Sequence, residues 1–203
     1  MLYKRTSQRY NVNDISAMPV DCKEKDMTME ITLEARLQKL LNAYAHRYDI
    51  VQNAEETGNQ WPATATYYLR DENYLISKQH VLSAVEQHEY LYFFLSDHLT
   101  AVDLQTQIAL TKEAGLRKVR PHKEHMFSNI GLVILANTID PEAKKLLQKT
   151  RFRKNYRLTF WGWTDYQLAA MEVSTNSFYS NPAGIGVKKL LEQNLAPKTD
   201  RRK

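Results

Sequence analysis

His122, Glu124 and His125 lie within the segment Arg120-Pro121-His122-Lys123-Glu124-His125-Met126, directly before the most hydrophobic run of the chain. Two imidazoles and a carboxylate so close together could ligate a metal ion, work as an acid–base pair, or satisfy backbone groups at the mouth of a strand. A zinc-protease helix needs His-Glu-x-x-His, which stacks two imidazoles one turn apart. The spacing here is different, and Pro121 biases its predecessor towards extended backbone. On a regular strand His122 and Glu124 project to one side and His125 to the other. No metal site is therefore expected, and a polar strand entry is.

The carboxylates Glu86 and Glu89 complete the set that a metal-dependent hydrolase or nuclease could use with Glu124 and His125. Such enzymes hold Mg²⁺ with an acid on one strand and an acid-x-Lys on the next. Glu86-Gln87-His88 and Glu89-Tyr90-Leu91 offer the acid without the lysine, and Lys78 has Ile76 two residues before it. Covalent catalysis has no candidate: the sole cysteine is Cys22, and there is no Gly-x-Ser-x-Gly elbow. None of the six glycines forms a Gly-rich phosphate loop, so no nucleotide cofactor is expected.

A third group is basic and aromatic. In Arg151-Phe152-Arg153-Lys154-Asn155-Tyr156-Arg157-Leu158-Thr159-Phe160-Trp161-Gly162-Trp163, the candidates for binding an anion are Arg151, Arg153 and Arg157. Residues 142–203 carry thirteen Lys or Arg against five Asp or Glu, although the whole chain is only +5. Nucleic acid or another polyanion is thus a possible partner, alongside a second copy of the chain. The opposing observation is that alternation puts most of the aromatics opposite the arginines, as in an ordinary amphipathic strand.

These groups must be held by elements readable from periodicity. Leu33, Leu37, Leu40, Leu41 and Tyr44 form one helical stripe, with Thr32 as cap. Residues 48–51, 63–70, 74–85 and 89–95 read as strands, separated by turns at 55–62, 71–73 and 86–88. Thr100 opens a helix closing near Lys112, with Gly115 available for the left-handed turn after it. Residues 125–136 are a buried strand, and Asp140-Pro141-Glu142 starts a short helix. The segment 151–163 reads as an amphipathic strand with 165–173 as hairpin partner. Asn181–Gly186 is a turn, and a short helix spans 187–194.

This order predicts an α+β fold: a mixed, mostly antiparallel sheet with two or three covering helices. The expected organisation is a flexible arm over 1–27, one domain over 28–195 and a disordered basic tail over 196–203. At 43% hydrophobic and 25% charged, with no apolar run long enough to span a bilayer and no signal-like N-terminus, the chain reads as soluble and cytoplasmic.

Asn73-Tyr74, Glu86 with Glu89-Tyr90, Glu124-His125-Met126 and Gly162-Trp163 together resemble an uncharacterised bacterial domain family, known mostly from Firmicutes. That resemblance implies no activity or cofactor and covers about residues 30–185. The order helix, strand meander, helix, strand also resembles the restriction-endonuclease-like fold, without its catalytic motif. The function expected is that of a non-catalytic binding or interaction module. The alternatives are a metal-dependent hydrolase or nuclease, or nucleic-acid binding through the basic C-terminal third.

Overall fold

The computed structural model describes residues 32–52, 61–74 and 81–197. The expected arm, and all but the first two residues of the expected tail, lie outside these. The elements in chain order are α1 (Leu33–Tyr44), β1 (Asp49–Val51), β2 (Ala63–Tyr74), β3 (Val81–Leu99), α2 (Ala101–Lys118), β4 (His125–Ile139), α3 (Pro141–Lys149), β5 (Arg153–Asn155), β6 (Trp163–Glu172), β7 (Ser177–Ser180) and α4 (Ile185–Leu195). The fold is α+β.

Among the described residues, one seven-stranded sheet runs β1-β2-β3-β4-β6-β5, with β7 also on β6. The outer pairings are antiparallel, but β3–β4 and β4–β6 are parallel. α2 and α3 make the two crossovers that parallel neighbours require.

Each sheet face buries its own core. The stripe of α1 packs with Val187, Leu191 and Leu195 of α4 against Ala63, Ala65, Leu91, Phe93, Val133 and Ala169. On the opposite face Leu104 of α2 and Ala143 and Leu147 of α3 meet Tyr92, Ile130, Leu132 and Leu168. The short C-terminal helix is thus a full structural cover. Among the described residues, no helix is long and apolar enough to cross a membrane.

The capping signals hold at two helices. Thr32 Oγ1 accepts from the Ala35 N–H at 3.2 Å, and Thr100 Oγ1 from the Asp103 N–H at 3.1 Å. Asp140 occupies the cap position of α3 but makes no side-chain cap bond; its carboxylate meets His98 Nε2 at 3.0 Å instead.

Four local readings need correction. Asp71-Glu72-Asn73 continues β2, and Glu86-Gln87-His88 lies inside β3. These polar triplets mimic turns, but ladder partners on neighbouring strands keep them extended. α2 runs six residues past Lys112. Gly115 does not end it; this glycine lets the helix approach β4, where a Cβ would stand 2.6–2.8 Å from the Ile130 side chain. The segment 151–163 is not one strand. It breaks after Asn155 into a tight turn in which Arg157, Leu158 and Thr159 have φ of 45°, 55° and 78°. Finally, β7 was not foreseen, because its four residues carry no alternation.

Candidate functional site

The candidate residues divide between the two faces of the sheet. On the α2/α3 face, Glu86 is the centre of a polar cluster. Arg70 Nη1 donates to its Oε1 at 2.8 Å, and His122 Nε2 donates to its Oε2 at 2.9 Å. His88 Nε2 lies 3.6 Å from Oε2. Arg70 also reaches Glu124 Oε2, at 3.0 Å. Burial alone would raise the Glu86 pKa, but hydrogen bonds from Tyr68, His122 and Arg70 outweigh it and leave the carboxyl below its ordinary value. Burial, aided by the neighbouring histidines, holds His88 below the usual imidazole value against the pull of Glu86.

His125 joins this face through a bulge. Glu86 pairs with His125 and Gln87 with Phe127, so Met126 is an extra residue that turns His125 to the side of His88. The regular-strand expectation, which put His125 opposite His122, fails because β4 begins only at His125: residues 123–124 form a turn closed by the His125 N–H on the His122 carbonyl at 3.1 Å. His125 Nδ1 donates to the Trp161 carbonyl at 2.7 Å, which fixes the proton there and leaves Nε2 to accept from Ser128 Oγ at 2.8 Å. This looks like nucleophile, base and orienting group. Yet Ser128 is wholly buried and His125 nearly so, so no substrate can reach them. The pair instead anchors the 156–162 turn onto the bulge, where a Cβ on Gly162 would collide with the Met126 carbonyl.

The cluster is consequently saturated. His122 donates through Nε2 and accepts the Glu124 N–H at Nδ1, 3.3 Å. Both Glu86 oxygens are engaged. Among the described residues, no group of three or more His, Cys, Asp or Glu side chains is arranged to hold a metal ion.

Glu89 faces the other side, towards α1. It receives hydrogen bonds from the Tyr48 hydroxyl at Oε2 and from Asn129 Nδ2 at Oε1, the latter 3.2 Å. Burial, then the charge of Glu89, pushes the Tyr48 hydroxyl strongly up, so Tyr48 stays protonated as the donor. Cross-strand pairing sets Tyr67, Glu89, Asn129, Asp165 and Arg153 in one row over five strands. The adjacent row holds Leu69, Gln87, Phe127, Trp163 and Asn155. Phe127 stacks on Trp163 at 5.9 Å between centroids. A cation closes each end: Arg47 lies 5.3 Å from the Tyr67 ring centre and Arg153 5.5 Å from that of Trp163. Tyr67, Gln87, Glu89, Phe127 and Asn129 are half-buried around a cavity of about 130 Å³. On the next row inward, Gln167 Oε1 is buried with no hydrogen-bond partner among the described residues.

The three candidate arginines do not converge. Arg151 donates to the Gln148 and Thr150 carbonyls at 2.6 and 2.9 Å. Arg153 grips Asp165 with two bonds of 2.7 and 2.6 Å. Arg157 lies 3.8 Å over the Trp161 ring, beside the exposed Leu158 and Phe160.

A domain-family model described as Domain of unknown function (DUF8052) matches residues 32–193. The chain belongs to this family. The DUF8052 match runs from the cap of α1 into α4 and takes in both faces of the site; the resemblance to an uncharacterised domain family is borne out to that extent. No curated protein and no solved structure matches the chain.

Sequence reasoning missed Tyr67, Asn129 and Asp165 in the row of Glu89, and Phe127 and Trp163 in the row beside it. Its signal was present as polar or aromatic residues at core-facing parity in otherwise apolar strands, such as Asn129 two residues before Gly131 in β4.

Proposed function

We propose that this chain is a non-catalytic binding module that holds an uncharged, ring-shaped ligand, rich in hydrogen-bond donors, on the row around Glu89. The observation that carries this reading is the alignment of half-buried aromatic, amide and carboxylate side chains from four strands, β2, β3, β4 and β6, on one face. Aromatic planes give a flat ring contact area at low entropic cost, and carboxylate and amide oxygens accept from hydroxyl or amino groups.

Charge narrows the ligand. Glu89 and Asp165 balance Arg47 and Arg153, so the floor is neutral and favours a nucleoside or sugar over a polyanion. Nucleic-acid binding is correspondingly less well supported, since Arg153 is paired with Asp165 and the three candidate arginines do not converge. The hydrolase alternative is weakened by geometry: Glu89 is on the wrong face to work with Glu86, Glu124 and His125, and Glu86 is already saturated.

Calorimetric titration with nucleosides and with simple sugars tests the reading. One class should bind saturably, and Glu89→Gln or Trp163→Leu should weaken that binding by about tenfold or more, at least ~1.4 kcal/mol. Binding that both variants retain at full strength, or failure of both ligand classes to bind, would sink it.

A further inference from the structure

β6 carries an interruption along its outer edge. β5 pairs with residues 163–165 and β7 with residues 169–172 of that same edge, leaving Tyr166–Leu168 between them. The gap is held by Asn181. Its Oδ1 accepts the Leu168 N–H at 2.9 Å, and its Nδ2 donates to the Tyr166 carbonyl at 2.8 Å, as a peptide of a neighbouring strand would. The Asn181 backbone N–H completes the set on the Leu168 carbonyl at 3.0 Å. Gly184 must lack a side chain, since a Cβ would run into the Leu168 backbone. Beside this gap lies a cavity of about 390 Å³, within the usual size range of ligand pockets.

We propose that this edge cavity is a binding site for a small organic monoanion with an apolar body, of the aryl- or alkyl-carboxylate class. Phe152, Tyr166, Pro182 and Ala183 supply apolar wall. Arg153 is neutralised by Asp165, which leaves the charge of Arg151 at the cavity unbalanced by any lining carboxylate. α4 begins beside it with no acidic residue in its first turn, so its dipole adds to the positive potential. Addition of a peptide strand is disfavoured, because Asn181 already occupies the donor and acceptor groups such a strand would need. The site shares only the Arg153–Asp165 pair with the row around Glu89.

The test is a titration of the ¹⁵N-labelled full chain with benzoate, phenylacetate and hexanoate, each matched against its amide. Saturable shifts are expected at Phe152, Tyr166 and Ala183 with the acids. Affinity should fall about tenfold or more for the amides and for Arg151→Gln, with Arg151→Lys intermediate. If Arg151→Gln fails to fold, the acid-against-amide comparison on the unaltered chain decides. Absence of saturable shifts at those amides at millimolar acid, or equal affinity for acid and amide, overturns the proposal. Loss of acid binding in Glu89→Gln also overturns it, by placing the anion on the other site.

Discussion

Glu86 and Glu89 stand three residues apart on β3 and face opposite sides of the sheet, one locked by Arg70 and His122, the other held by Tyr48 and Asn129. A single strand therefore gives its carboxylates two different tasks. Glu86 ties β2, β3 and the approach to β4 together. Glu89 centres a surface whose partners are half-exposed rings.

Removing the first carboxylate should cost stability. Glu86→Ala leaves His122, and in part Arg70, without an acceptor, and a loss of about 2–3 kcal/mol is expected in urea unfolding. Glu124→Ala should cost less, because its side chain is 43% exposed and shares only Arg70. Equal effects would mean that Glu86 is not the centre of the cluster.

The pH dependence has a defined sign. The folded pKa of His88 is depressed, so the folded state favours neutral imidazole, and stability is lost as pH falls below the ordinary value of 6.5. Glu86 and Glu172 are also depressed, so their contributions persist above the ordinary carboxylate value of 4.5 and vanish as pH drops through their lower folded values. Thermal melts should show a decline as pH falls through about 6.5, then a second as it falls below about 4.5. His88→Phe should remove the first decline and keep the second; a first decline that survives it assigns that titration elsewhere.

Asn181→Ala should be among the most damaging single changes. It strands the buried Leu168 N–H and Tyr166 carbonyl and also removes the acceptor at 2.8 Å from the Gly184 N–H. A loss of about 2–4 kcal/mol is expected by chemical denaturation, and Asn181→Asp should recover part of it through the surviving oxygen acceptor. A neutral Asn181→Ala would show that water fills the gap equally well.

Gly115→Ala separates propensity from packing. In an open helix the change gains about 1 kcal/mol. Here the added Cβ meets Ile130, so a net loss of about 1–3 kcal/mol is expected in a urea midpoint measurement. Stabilisation would mean that Ile130 gives way freely.

What was legible in the sequence was local. Helical spacing from Leu33 to Tyr44 named every buried residue of α1, and Thr32 and Thr100 cap as their types suggest, because these features depend on neighbours within one or two turns. The α+β class followed from the same periodicities. Tertiary structure decided the rest. Glu86-Gln87-His88 is as polar as a turn, and only β2 and β4 on either side keep it a strand. His125 turns to the side of His88 because Met126 bulges out, and that depends on register against β3. Glu89, Asn129 and Asp165 are separated by dozens of residues in the chain and become neighbours only through parallel pairing. Asn181 looks like a turn residue until the gap between β5 and β7 gives its amide two peptides to satisfy. Periodicity records which way a side chain points relative to its own element; which partner it meets depends on the register of other strands, set by the packing of the whole sheet.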